Sequence, residues 1–281
     1  MLRRRDRLRA ETVREIKAIA LRHMADGGAA ALSLRAIARE MGMTAGALYS
    51  YYDTRDDMIT ALVTDIYTSV ARRLEAVRAA APADDPGAAL VAVAMAYREW
   101  AVTNPQEYQL LYGSPIPGYR FPTEGDASSA EQQACGVLLR LVETAWPGLR
   151  ERMSAPGADL DGTGAGTDDY DWSDFTPPFA ALARAAVPGL PPAAVALSLR
   201  IWGRLHGLLA LEINGHLRPH VADPATLYRA EVRELAAWLG GSGTAGAGTA
   251  GPGTADAGTA GARAASSARM AAMTGPGSSA R

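Results

Sequence analysis

The sequence predicts an all-α protein, and three observations carry that prediction. Ala, Leu, Arg and Glu dominate segments whose apolar residues recur three and four apart, the period of one helix face. Helix-start signals repeat: Asp85-Pro86, Asn104-Pro105 and Asp223-Pro224 each set an N-cap acceptor before a proline at the first helical position, where its missing N–H is harmless. Only three Phe and few β-branched residues are present, and no segment reads convincingly as a strand.

Composition narrows the class further. The 281 residues hold 28 Lys and Arg against 30 Asp and Glu, a formal net charge of -2 that is unevenly distributed. Residues 1 to 52 carry ten basic side chains against five acidic ones, a net of +5, which leaves -7 for the remainder. A basic head on an acidic body points to nucleic acid at the head. A lone Cys135 provides no disulfide framework and no zinc-ribbon spacing. No run of eighteen apolar residues and no secretory signal occurs, so a soluble, cytoplasmic protein without a membrane partner is expected.

Read in order, residues 1–9 form a basic arm (Arg3, Arg4, Arg5, Arg7, Arg9), expected to be flexible and either solubilising or in contact with phosphates or a minor groove. Val13, Ile16, Ala20 and Met24 mark one face of a first helix, closed by Gly27-Gly28. Ser33 caps a short helix that turns Leu34, Ile37, Ala38 and Met41 inward, Gly42 permits a sharp turn, and Thr44 caps a second short helix through Tyr49. Two short helices across a tight turn over residues 10–53 form a helix-turn-helix, whose second helix enters the major groove. Thr54 and Asp57 resemble a capping box opening a connecting helix over 54–80, with Met58, Ile59, Leu62, Val63, Ile66 and Val70 on its apolar face. A larger helical domain is expected over 81–239, with long helices over roughly Pro192–Leu217 and Ala225–Leu239. Inside it, 154–174 reads as a flexible Gly/Asp-rich loop, and 240–281, made mainly of Gly, Ala, Thr, Ser and Pro without Leu, Ile, Val or aromatics, reads as a disordered tail.

The head resembles the tetracycline-repressor (TetR) family of transcriptional regulators. The matching residues are Leu34-Arg35-Ala36-Ile37-Ala38, Gly42, and above all Ala47-Leu48-Tyr49-Ser50-Tyr51-Tyr52 followed by Thr54-Arg55-Asp56-Asp57-Met58. Arg55 stands where the family usually has Lys, and Tyr52 where Phe is commoner; charge and aromatic body are kept. The resemblance implies phosphate contacts by Thr44, Tyr49 and Arg55, with Ala45, Gly46 and Ser50 placed to meet base edges. Ser33, Arg35 and Tyr51 complete the candidate DNA-binding set, Arg35 being equally readable as a solvated surface charge. None of the residues at the base-edge positions carries a bidentate fork, which shifts discrimination towards Arg35, methyl contacts or DNA shape. Leu48 and Tyr52 read as core.

The body carries a second resemblance. Ile201-Trp202-Gly203-Arg204-Leu205-His206-Gly207-Leu208-Leu209 with Glu212, Gly215 and His216, and the segment Asn104-Pro105 to Pro115, look like the class of TetR C-terminal domains named for Trp, His and Gly. That implies an all-helical regulatory domain whose last two long helices pair with those of a second copy. Independently, apolar residues cover more than one face of the helix from Pro192, and Gly203, Gly207 and Gly215 cost about 1 kcal/mol each in a helix interior, which close approach of a partner helix would offset. Tyr97, Trp100, Tyr108, Tyr112, Trp146, Trp202 and His206 are candidates for an apolar effector pocket, each also readable as ordinary core. His216 and His220 have a metal-like spacing, but Pro219 and the lack of a ligand set argue against a metal site, and no cofactor is expected.

The expected function is a ligand-responsive regulator, read as a repressor, that binds a palindromic DNA operator as a homodimer and is released by an unidentified small molecule. The alternatives are an architectural DNA-binding protein without an effector, and an all-helical enzyme built on His206 with Glu212 or a tyrosine, for which no nucleophile–base spacing or cofactor loop is present.

Overall fold

A computed structural model describes residues 4–28, 31–114, 116–122, 125–153 and 170–241. Their regular structure is helical throughout. The expected loop over 154–169, the tail from 242 onward and Arg3 lie outside the described residues.

The head consists of α1 (Arg4–Gly27), α2 (Leu34–Glu40) and α3 (Ala45–Tyr49). Helix α1 corrects the flexible arm: from Arg4 onward the basic residues are its first turns. Asp6 complements the positive helix end, and Arg9 is fixed by a bond to the Ser50 carbonyl (3.3 Å). Ile16, Ile19, Ala20 and Met24 of α1 are buried, as are Leu34, Ile37 and Ala38 of α2 and Leu48 of α3. Gly42, at φ 66°, makes the left-handed turn between α2 and α3 that a side chain would strain. At the end of α2, the Glu40 carboxylate meets His23 (2.7 Å) and Arg22 (2.6 Å) of α1, and these bonds hold its pKa below the usual carboxylate range.

Helix α4 (Arg55–Ala80) opens on a complete capping box. The Asp57 N–H donates to Thr54 Oγ1 and the Thr54 N–H to Asp57 Oδ2, both at 3.0 Å, so Asp replaces the longer Glu or Gln without loss of the motif. Lys17 of α1 binds the Ala61 carbonyl (3.4 Å) and Asp65, which lays α1 alongside the first half of α4. Nine residues of α4 are buried, from Met58 through Leu62 and Tyr67 to Leu74.

The body adds α5 (Pro86–Thr103), α6 (Pro105–Tyr112), α7 (Asp126–Met153), α8 (Pro177–Ala186), α9 (Pro192–Ile213) and α10 (Pro224–Gly240). Helix α4 packs mainly on α7 and α5, α5 on α10, and α9 lies against α7, α10 and α5. At Gly87 the α5 backbone approaches α10 so closely that a Cβ would sit 2.7 Å from the Ala236 carbonyl oxygen. The fully buried Tyr228 of α10 donates its hydroxyl proton to the Ala94 carbonyl (3.2 Å). Between α5 and α9, Arg98 grips Glu212 with two bonds, Nε to Oε2 at 2.9 Å and Nη2 to Oε1 at 2.5 Å, and both side chains are largely covered.

Several details depart from expectation. Asp85 and Asp223 accept from the first turns of α5 and α10, whereas Asn104 makes no such cap. Its amide instead donates back to the Trp100 carbonyl (2.9 Å), closing α5 before Pro105 starts α6. Helix α9 stops at Ile213, four residues early: the Asn214 amide binds the Ala210 carbonyl (2.8 Å), Gly215 turns left-handed, and Pro219 prevents resumption. Within the expected 154–174 loop, Trp172–Asp174 form a 3-10 turn capped by Asp171. By length and composition α9 could cross a membrane, but its body-facing side is packed against three helices.

Two substitutions test this account. Glu212→Ala leaves the Arg98 guanidinium covered and uncompensated, and is expected to cost about 3–5 kcal/mol in denaturant unfolding, with much of it recovered by also replacing Arg98 with Met. Thr54→Ala removes one exposed cap and should cost about 1 kcal/mol; a loss below a few tenths would mean that α4 does not depend on its capping box.

Candidate functional site

Most of the candidate DNA contacts on the head are open to solvent. Ser33, Arg35, Thr44, Gly46, Tyr49 and Ser50 are exposed, and Ala45 is half-buried. Two of the hydroxyls are structural caps: Ser33 Oγ accepts from Ala36 N (3.4 Å) and Thr44 Oγ1 from Ala47 N (3.1 Å). The Ser50 hydroxyl donates to the Ala47 carbonyl (2.7 Å). Tyr49 is 40% exposed, unusual for an aromatic side chain in a small core, while Leu48 and Tyr52 are buried as their helical spacing implies. Burial, helped by the charge of Asp65, pushes the Tyr52 hydroxyl up to about 12. Tyr51 is turned towards α1, with the Arg9 guanidinium 4.6 Å from its ring centroid, a cation–π contact that the sequence did not reveal. Arg55, at the start of α4, is partly covered and has Asp56 at 3.8 Å.

The body contains a cavity of about 370 Å³, within the range for small-molecule sites. Its walls come from six helices, among them Tyr67 of α4, Tyr97 of α5, Tyr112 of α6, Glu131 and Cys135 of α7, and Trp202 of α9. Phe179 of α8 closes a further side. Thus Tyr97, Tyr112 and Trp202 of the expected pocket set reach the cavity, and four residues do not. Tyr108 and His206 stand behind them. His206 Nδ1 is 3.1 Å from the Tyr97 hydroxyl, and the Tyr108 hydroxyl is 3.3 Å from both ring nitrogens. Trp100 stacks on Tyr97 (5.8 Å between centroids) and donates its indole proton to Glu107 (3.1 Å). Trp146 is half-buried against the core about two turns beyond the part of α7 that faces the cavity.

These aromatics form a connected assembly. His206 stacks on Trp202 (4.7 Å) and on Tyr108 (5.4 Å) and meets the edge of Tyr112 (4.6 Å), and Tyr112 in turn lies near Tyr67 (6.4 Å). Burial lowers the His206 pKa, so the imidazole favours its neutral form, and burial raises the Tyr67, Tyr97 and Tyr108 hydroxyls. Burial pushes the Tyr112 hydroxyl up to about 12, and the apolar surroundings of Cys135, which is itself exposed, push its thiol up to about 11. The cavity therefore offers neutral hydroxyls and an un-ionised thiol, groups suited to holding a ligand rather than attacking one. Glu212, a candidate partner of His206 in an enzyme, spends both oxygens on Arg98.

Sequence reading missed Tyr67, Glu131, Cys135 and Phe179. The spacing of Glu131, Ala134, Cys135 and Leu138 marks one helix face, but its polar members disguise it, and Tyr67 reads as one more core position of α4.

Known proteins place this arrangement. Residues 16–62 match the family described as bacterial regulatory proteins, tetR family, and residues 90–235 match the tetracyclin repressor-like C-terminal domain. The HTH-type transcriptional regulator Rv1816 of Mycobacterium tuberculosis (strain ATCC 25618 / H37Rv) is 33% identical over 238 residues, covering 84% of this chain and 95% of the relative. The regulator Mb1846 of Mycobacterium bovis matches to the same extent. The crystal structure of the regulatory protein SCO4313 superposes with a TM-score of 0.61 at 32% identity, covering 84% of this chain and 98% of that one. A protein of unknown function from Rhodococcus sp. RHA1 shares the fold alone, at 19% identity and a TM-score of 0.55 over 82% of this chain and 94% of that one. With its helix-turn-helix head, its helical body and these relatives, the chain belongs to the TetR family of DNA-binding transcriptional regulators.

Proposed function

We propose that the protein is an effector-responsive repressor, cytoplasmic, which grips a palindromic operator as a homodimer and lets go when a small molecule fills the body cavity. The observation that carries this reading is α4. One uninterrupted helix begins beside the recognition helix at Arg55 and supplies Tyr67, Val70 and Leu74 to the cavity wall. At 1.5 Å per residue the distance from Arg55 to Tyr67 is about 18 Å. A ligand that favours one position of the Tyr67–Leu74 turns thereby biases the position of Arg55, by as much as its affinities for the two positions differ.

On the DNA side, Thr44 and Tyr49 would take phosphates flanking the recognition helix, Arg55 a third, while Ala45, Gly46 and Ser50 face base edges. The exposure of Thr44, Gly46, Tyr49 and Ser50 supports these roles. For the dimer, the outer face of α9 and α10 is the natural seam. Leu199, Trp202 and Leu211 of α9 and Leu227 of α10 are each 38–42% exposed, and a Cβ at Gly203 or Gly207 would meet nothing within 4 Å. Such a face suits a second helix at close range. The Trp202, His206 and Gly207 set also supports placing the body in the Trp-His-Gly class. Two heads spaced by roughly 34–36 Å or a multiple would then read successive half-sites.

Gel shifts at increasing salt test the DNA reading: operator affinity should fall steeply, Arg55→Ala should weaken binding and lower the salt slope by about one, and Tyr49→Ala should weaken binding with the slope unchanged. Binding that ignores salt, or that treats random duplex and operator alike, contradicts it. For the dimer, the pair Leu211→Glu and Leu227→Glu should convert the protein to monomers in sedimentation and reduce operator binding with it. If operator affinity stays constant with every ligand that stabilises the body, the release mechanism fails.

A further inference from the structure

The cavity has one charged group in its wall. Glu131 of α7 is half-buried there, and among the described residues no Lys, Arg or His lines the cavity with it. Two cations on the surrounding helices are engaged elsewhere: Arg140, on the same helix, binds Glu75 (3.1 Å), and Arg184 of α8 lies over the Trp172 ring (4.0 Å). The chain from Ser154 to Ala183 contains no Lys or Arg at all. Ser198, the other small polar group in the wall, spends its proton on the Ala194 carbonyl of its own helix (3.0 Å). Burial raises the Glu131 pKa, the mark of a carboxylate that lacks compensation.

Around this carboxyl stand π faces and edges. Tyr67, Tyr112 and Trp202 are linked at 6.4 Å centroid separations, with Tyr97 and Phe179 completing the wall. A carboxylate without a counter-ion repels anions, and aromatic rings attract cations through their quadrupoles. We propose that the effector is an organic cation, an amine or quaternary ammonium on an apolar body, whose positive group sits beside Glu131 within the Tyr67, Tyr112 and Trp202 rings. The apolar body lies against Val70, Leu138 and Leu205, which also line the cavity. This assignment rests on the effector-responsive reading above, since it names the chemistry of the same cavity.

Cys135, one helical turn from Glu131 and the single cysteine of the chain, makes the test direct. Its alkylation by N-ethylmaleimide near pH 8 reports occupancy of the cavity without any reference to DNA. Three probes share one apolar body: 4-phenylbutyltrimethylammonium, 4-phenylbutanol and 4-phenylbutanoate. With the full-length protein, the ammonium probe should protect Cys135 at concentrations at least about tenfold below the alcohol, and the carboxylate should protect least. In Glu131→Gln, checked for an unchanged melting curve, the ammonium preference should fall to within about threefold of the alcohol, while protection by the alcohol persists. Equal protection by all three, preference for the carboxylate, no protection by any, or a preference unchanged in Glu131→Gln would overturn the proposal. The wild-type series alone decides it if the variant does not fold. Operator release measured with the same probes separates the two readings: cation-selective protection without release sinks the induction mechanism and leaves the cavity chemistry standing, and release by the alcohol or the carboxylate at lower concentrations than the ammonium does the reverse.

Discussion

Everything in this molecule depends on α4 being one helix that must satisfy two neighbourhoods at once. Its first turns face α1, held by Lys17 at Ala61 and Asp65, and its later turns bury Ile66, Val70 and Leu74 among α5 and α7. Buried side chains from Ile16 in the head to Leu239 in the body form one contiguous cluster. A helix is stiff along its axis, and a close-packed interior does not deform gradually. In the proposed mechanism a displacement at one end is therefore expected to reach the other, and head and body are expected to unfold together. The boundary that the sequence suggests after residue 53 falls before part of the shared core: cutting there would remove Met58, Ile59 and Leu62, whose burial is nearly complete.

The polar interactions divide into those that set geometry and those that are merely tolerated. Arg98 and Glu212 pin α5 to α9 behind the cavity, and a covered pair of this kind adds less to stability than its Coulomb attraction suggests, because both ions were first stripped of water. Its value lies in fixing the register of two helices that carry Tyr97 on one side and His206 on the other. The exposed triad of Glu40, Arg22 and His23 does similar work for α2 at lower stakes.

The head was legible residue by residue because its signals are local. Ser33, Thr44, Thr54 with Asp57, and Gly42 each act within three or four positions, so capping and turn chemistry could be read directly, and the helical period separated Leu48 and Tyr52 from Tyr49. The cavity was not legible to the same degree, because its wall is drawn from six helices far apart in sequence. Tyr97, Tyr112 and Trp202 were recognisable as pocket-forming types, yet nothing local distinguished them from Trp100, which stacks outside, or Trp146, which packs elsewhere. Glu131 and Cys135 gave no signal, since an acid and a thiol on a helix ordinarily read as surface and filler. Asn104 shows the converse error, a correct helix boundary with the wrong bond, because an Asn can serve the helix that ends as readily as the one that begins.

Trp202 has a dual position: one side of the indole closes the cavity, and 42% of its surface remains open on the outer side of α9. In the proposed dimer that outer side would be covered by the second copy, so a single side chain would form both the lining of the binding chamber and the seam between subunits. Assembly and occupancy then become linked equilibria that share a wall. Apparent ligand affinity would depend on protein concentration, rising or falling on dilution according to which state of Trp202 the ligand prefers.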